Sequence, residues 1–232
     1  MNPALIVALD VPNLTEMEKT LDRLPDSIEW YKVGLEIFCA EGPAILSPLK
    51  QRNKKIFLDL KLHDIPRTVA NAVKTAANHG VNLMTVHAIG GRAMLEAAAQ
   101  AARECDVPPK LVAVTTLTSL SQDDFSDLGI NRTVSEQALA LGDLAIGSGI
   151  DGLVTSAHEA EALSQRFPEA LLVTPGIRMP DGDIGDQKRV ATPSFAVQQG
   201  ATHLVVGRPI VQAEQPANVT AAIQADMKNA LS

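Results

Sequence analysis

Cysteine is nearly missing from this chain. Cys39 and Cys105 are the only two in 232 residues, and no CxxC spacing exists. A disulfide framework and a cysteine-built zinc site are therefore excluded, and both thiols read as reduced. Aromatic residues make up only 3%, too few for the exposed stacking platform that single-stranded nucleic acid requires. Positive charge is in deficit, with a net charge of −7, which argues against general attraction to nucleic acid or to anionic membranes. No apolar run approaches the roughly 18 residues needed to span a bilayer. The opening MNPALIVALD has no basic region, and its apolar run stops at Asp10. It reads as a strand and not as a signal peptide, so a cytoplasmic location is expected. The five histidines show no HExxH or other ligand spacing, and neither a P-loop nor a GxGxxG follows a strand.

What is present is ordinary globular composition, 46% hydrophobic and 20% charged. Short apolar segments read as strands at Leu5–Leu9, Trp30–Val33, Ile56–Leu60, Leu83–His87, Leu111–Thr115, Gly152–Thr155, Leu171–Thr174 and Leu204–Val206. Segments with helical spacing separate nearly all of them: Thr15–Leu24, Pro43–Gln51, the run from Val69 to Ala77, Gly91–Arg103, Val134–Gly147, His158–Arg166, Pro193–Gln199 and Ala217–Leu231. Strands alternating with helices imply parallel pairing through βαβ crossovers. Eight such units in this length predict an α/β fold, a single (β/α)8 TIM barrel, with a doubly wound open sheet as the alternative. There is no linker, composition shift or low-complexity segment, so one domain over 1–232 is expected.

A barrel places its chemistry at the C-terminal ends of the strands. Polar residues collect there: Asp10, Lys32, Asp59, Lys61, Asp64, His87, Thr118, Ser119, Arg178, Gly207 and Arg208. The stretch IFLDLKLHDIPRT, Ile56 to Thr68, is the most informative. Strand alternation puts Phe57, Asp59 and Lys61 on one face and Ile56, Leu58 and Leu60 on the other. Opposite charges on an otherwise apolar face are costly unless they serve each other or a ligand. Asp10, Lys32, Asp59, Lys61 and Asp64 together would make a preorganised electrostatic field, suited to a reaction that changes charge at carbon. The plainer alternative is a set of surface salt bridges, with Asp64 capping the helix that begins near Pro66.

Two further stretches read as an anion grip. PGIRMPDGDIGDQKRV, Pro175 to Val190, is a long glycine- and proline-bearing loop of the kind that is usually functional, where Arg178 and Gln187 would close over an anion. In LVVGRPI, Leu204 to Ile210, the glycine lets backbone approach a ligand and Arg208 offers a planar fork to phosphate. Loops after strands seven and eight are the frequent phosphate site of this barrel. A solvated loop and a surface arginine in a tight turn are the duller readings. Mg²⁺ on Asp10, Asp59 and Asp64 is conceivable, but Lys32 and Lys61 would compete with the cation.

With these residues in hand, the chain resembles the orotidine 5′-phosphate decarboxylase family along its whole length. DLKLHDIPRT, Asp59 to Thr68, fits the DxKxxDIPxT signature of that family, supported by ALD at Ala8–Asp10, YKVG at Tyr31–Gly34, LTS at Leu117–Ser119, TPGIR at Thr174–Arg178, DQKR at Asp186–Arg189 and VGRPI at Val206–Ile210. The resemblance implies decarboxylation of orotidylate to UMP and CO2 in pyrimidine synthesis, with no cofactor and no metal. It implies that Lys32, Asp59, Lys61 and Asp64 form a Lys-Asp-Lys-Asp array in which Lys61 is the proton donor. Asp64 and Thr68 would serve the neighbouring subunit's site, so a homodimer is implied. By the same likeness Asp10 and Thr68 hold ribose hydroxyls, Thr118 and Ser119 the pyrimidine, and Gln187 links base to phosphate. Gly207 and Arg208 take the phosphate, Arg178 belongs to the closing region, and Ile65 lies among the substrate-binding residues. Rival readings are a Mg²⁺-dependent sugar-phosphate decarboxylase or lyase, which shares DxKxxD but carries an acid in place of Lys32, and a non-catalytic phosphate-binding barrel.

Overall fold

The computed structural model describes residues 3–179 and 190–231. Eight parallel strands close on themselves in sequence order: β1 (Ala4–Ala8), β2 (Trp30–Gly34), β3 (Lys55–Leu62), β4 (Leu83–His87), β5 (Lys110–Val114), β6 (Gly152–Val154), β7 (Leu171–Thr174) and β8 (His203–Val206). Closure is made by β8 on β1, with Leu5 beside Leu204 and Val7 beside Val206. The (β/α)8 barrel expected from the sequence is therefore the architecture, and the open doubly wound sheet is not.

Alternation along the strands builds two cores from one sheet. Ile6, Ala8, Phe57, Leu83, Val112, Val173 and Val205 pack inside the barrel. Their neighbours Leu5, Val7, Ile56, Leu58, Met84, Leu111, Leu172, Leu204 and Val206 face outward and meet the helices. Each aliphatic side chain removed from water in this way contributes roughly 1.5–3 kcal/mol. The helix Pro66–Asn78 shows the outer layer's logic: Pro66 sits in the first turn, where its missing N–H is no loss, and Val69, Val73, Ala76 and Ala77 are buried at helical spacing. Threonine 133 caps the helix Val134–Ile146 by accepting from the Glu136 N–H, while the Glu136 carboxylate accepts from the Thr133 N–H.

Several local features differ from the expectation. A helix at Leu35–Glu41 follows β2 at once, and the segment read as one helix over Pro43–Gln51 is a 3₁₀ turn, Gly42–Leu46, leading into Ser47–Gln51. The prolines explain the break, since Pro43 and Pro48 each begin a new turn. Short helices at Gln122–Asp127 and Arg208–Val211 add to the pattern. The largest departure lies in β3. Leu58 pairs with Met84 but Leu62 pairs with Val86, so the three residues Asp59, Leu60 and Lys61 stand against the single Thr85. Within this bulge Lys61 takes the left-handed conformation at φ 51°.

Candidate active site

A cleft of about 250 Å³ opens at the C-terminal end of the barrel. Its floor is apolar, made by Ala8, Phe57, Val154, Val173 and Val205, four of which belong to the barrel's inner core. Polar groups ring the floor because each strand runs out of paired backbone at this level and turns its next inward residue toward the opening.

On the β1–β3 side the charges form a row. Lys32 Nζ lies 2.8 Å from Asp10 Oδ1 and 3.7 Å from Asp59 Oδ2, and Lys61 Nζ lies 2.9 Å from Asp59 Oδ1. The signs alternate, minus-plus-minus-plus. The side chains of Lys32 and Asp59 are 11% and 13% exposed, whereas Lys61 is 33% exposed. Lys61 is thus the row's more open cation, held by Asp59, which is screened from water and paired in turn with Lys32. Coulombic attraction at these separations is much stronger in such a setting than between freely solvated charges.

Two residues that sequence reasoning did not single out support the row. An added Cβ on Gly34 would lie 2.8 Å from Lys32 Nζ and 2.9 Å from Asp10 Oδ1, so only glycine leaves room for that ion pair. Its place in YKVG was the available signal. Thr85, buried on β4, accepts from the Lys61 backbone N–H at 2.7 Å and donates to Asp59 Oδ1 at 3.1 Å. Nothing in LMTVH distinguishes it from an ordinary β-branched strand residue.

The anion-grip candidates lie on the same cleft. Arg178, Gly207 and Arg208 line it, together with Thr118, the pyrimidine-side candidate, and Gly176. Arg178 is buried, its guanidinium donates to the Ile177 carbonyl at 2.8 Å, and its backbone N–H donates to Ala191 O at 2.9 Å. The Ala191 N–H reaches back to Gly176 O at 3.2 Å, which pins the two ends of the loop after β7 together. Gly207 approaches β1 closely: a Cβ there would come within 3.3 Å of Ala8 Cβ and 3.4 Å of Asp10 Oδ2. Gln187 lies outside the described residues.

Not every candidate joins this cleft. Ser119 is exposed beside Thr118 and does not line it. Asp64, Ile65 and Thr68 are exposed on the rim beyond β3, and none contributes to the cleft of its own chain. The helix that follows has Ile65 as its N-cap with no side-chain cap bond, and the Asp64 carboxylate accepts from the Ile65 N–H at 2.6 Å. His87 ends β4 with its ring 5.5 Å from that of His63. Burial, and then the charges of His63 and Lys61, hold its pKa below the usual histidine value. Among the described residues, no three His, Cys, Asp or Glu side chains are grouped so as to hold a metal ion, and no helix is long and apolar enough to cross a membrane.

Comparison with known proteins now bears on this geometry. Residues 3–223 match the model of the orotidine 5′-phosphate decarboxylase / HUMPS family. The chain belongs to this family. The orotidine 5′-phosphate decarboxylase of Moorella thermoacetica is 46% identical over 231 residues, covering 97% of this chain and 92% of that protein. That of Legionella pneumophila strain Paris is 44% identical over 229 residues, covering 98% of this chain and all of its relative. The crystal structure of orotidine 5′-phosphate decarboxylase from Lactobacillus acidophilus superimposes with a TM-score of 0.86 at 39% identity, over 98% of this chain and 99% of the other. Members of this family with such names are enzymes, and this chain is one of them.

Proposed function

We propose that the enzyme decarboxylates orotidine 5′-phosphate to UMP and CO2 in pyrimidine synthesis, with its own side chains as the only catalytic groups. The observation that carries this reading is the row Asp10–Lys32–Asp59–Lys61 in one cleft with Arg178 and Arg208. Relatives matched over 92–100% of their own length at 44–46% identity bear that activity in their names.

The chemistry suits the row. When the carbon–carbon bond to the carboxylate breaks, its electron pair stays on the ring carbon, in the ring plane, where the π system cannot spread it. CO2 leaves, and the carbon takes a proton. Lys61, the most exposed cation of the row, supplies both a positive charge beside the developing carbanion and that proton, and then regains one from water. Asp59 holds the Lys61 ammonium in place, Lys32 anchors Asp59 and Asp10, and Asp10, open to the cleft mouth, is placed for ribose hydroxyls. Arg178, Gly207 and Arg208 bind the phosphate, with Gln187 linking it to the base, and Thr118 and Ser119 take the pyrimidine. Binding energy gained at the phosphate, remote from the reacting carbon, then helps to order the site around the transition state.

Asp64, Ile65 and Thr68 are assigned to the cleft of a second subunit, in a homodimer. Their exposure, and the apolar Leu35, Ile65 and Ile89, exposed to 53%, 67% and 52% just beyond β2, β3 and β4, support that assignment. The whole chain is read as one catalytic domain working in the cytoplasm.

One assay separates the rivals: orotidylate absorbance is followed with EDTA-treated protein. Undiminished loss of substrate absorbance fits the proposal. Activity that returns only with added Mg²⁺ points to the sugar-phosphate lyase branch, against which Lys32 already stands, wedged between the two acids a metal would need. No turnover under any condition leaves a phosphate-binding barrel.

A further inference from the structure

We infer that Thr85 is a positioning residue of the active site: its one hydroxyl sets the backbone of Lys61 and the carboxylate of Asp59 in mutual register. This rests on the role given above to Asp59 and Lys61.

The pairing of β3 with β4 is irregular. Three residues, Asp59 to Lys61, stand against Thr85 alone. Regular parallel pairing is thereby interrupted, and the N–H of Lys61 needs another acceptor if it is to be buried without penalty. Thr85 Oγ1 is that acceptor, at 2.7 Å. A hydroxyl carries a single proton, and this one is donated to Asp59 Oδ1 at 3.1 Å. The same oxygen of Asp59 receives Lys61 Nζ at 2.9 Å. A closed circuit results: Lys61 backbone to Thr85, Thr85 to Asp59, Asp59 to the Lys61 side chain.

Two features make the circuit more than a satisfied hydroxyl. Lys61 is one of two non-glycine residues among those described with positive φ, the other being Asn53 in a surface turn. A left-handed L-residue persists only where its surroundings hold it, and Thr85 supplies a hydrogen bond at that peptide. Thr85 is also 1% exposed, so no water replaces its hydroxyl. Thr115 provides an internal contrast. It too is 1% exposed, but its hydroxyl donates to the Val154 carbonyl and not to Asp59.

The test compares Thr85→Val, Thr85→Ser and Thr115→Val. Thr85→Val is expected to lower kcat about 100-fold, the scale set by misplacing a catalytic group by about 1 Å. KM for orotidylate and the Kd for UMP are expected to stay within about threefold, as for a group that acts mainly at the transition state. Thr85→Ser restores turnover, and Thr115→Val loses thermal stability without the loss of kcat. If Thr85→Val does not fold, Thr85→Cys, close in volume and poor as a donor, takes its place with the same expected loss of kcat. Amide hydrogen exchange at Lys61, read by NMR, is slow in wild type and Thr85→Ser and fast in Thr85→Val or Thr85→Cys. Unchanged kcat without the hydroxyl, equal losses in the Thr85 and Thr115 variants, or unchanged Lys61 exchange each overturn the inference. A wild-type chain that leaves orotidylate intact defeats the proposed function instead, and the exchange measurement still decides what the hydroxyl does.

Discussion

Gly34 and Lys32 share one small volume: a Cβ on the glycine would fall 2.8 Å from the lysine Nζ. Lys32 is flexible at its tip, so the fold can absorb an alanine by moving the ammonium, but only by breaking its 2.8 Å contact with Asp10. Gly34→Ala is therefore expected to keep its melting temperature within a few degrees, because the change costs about 1 kcal/mol or less in a domain of this size. Its orotidylate turnover should fall by roughly tenfold or more, as for other small displacements of catalytic groups. Steady-state kinetics beside a thermal melt would check both halves. Turnover equal to wild type would show that the Lys32–Asp10 contact has no part in catalysis.

Lys61 and Asp64 are expected to complement each other across subunits. Lys61→Ala should bind UMP and remain dimeric yet lose decarboxylation, and Asp64→Ala should lose most of it as well. If each site takes Lys61 from one chain and Asp64 from the other, equal mixing after dissociation restores about a quarter of wild-type activity, since half the dimers are mixed and each holds one intact site. Mixing that restores nothing would place both residues in the same chain's site.

Arg208→Ala should weaken nucleotide affinity more than any other single change on the anion side of the cleft. A charge-assisted contact of about 1.5–3 kcal/mol corresponds to roughly 10–100-fold in the Kd for UMP. The loss should be much smaller for uridine, which has no phosphate. Calorimetric titration with both ligands measures the difference, and equal losses would remove Arg208 from the phosphate.

Stability should fall in acid through His203, at the far end of the barrel from the cleft. Its Nδ1 lies 2.9 Å from Thr202 Oγ1, and its ring stands edge-on to Trp30 at 5.6 Å. Burial, and then the Lys55 charge, push its pKa down from 6.5 to about 4. Between those values the unfolded chain binds a proton that the folded chain refuses, so stability is full above pH 6.5 and is lost as pH falls toward 4. A shift of that size amounts to about 3 kcal/mol. Urea melts at pH 7 and 4.5 should show the loss, and His203→Phe should reduce it. The same pH dependence in both proteins would mean that His203 contributes nothing. His87, also held below the ordinary histidine value, acts in the same direction and keeps part of the slope in the variant.

The barrel was legible because its strands are short apolar runs between helical segments, and seven of the eight are no longer than five residues. The charged row was legible in part. A period of two predicts Asp59 and Lys61 on one strand face, and both do line the cleft, although the bulge and the left-handed turn at Lys61 break that period. Thr85 was not legible. Its importance comes from the two additional residues in β3, and a bulge is a property of two strands that neither sequence declares alone. Gly34 was hidden similarly, since what matters there is the volume taken by Lys32 and Asp10. Asp64 shows a third limit. A residue at a strand's end is easily placed on the rim, but whether it turns toward its own cleft depends on the loop geometry, which here sends it outward.

The left-handed turn at Lys61 sets activity against robustness at a single position. Glycine is the residue that accepts this backbone most readily, and it is also one that can neither carry a charge nor deliver a proton. With Lys61 as the proton donor proposed above, a change to glycine that relaxes the chain here is expected to silence the enzyme, so durability and turnover make opposite demands on this one position.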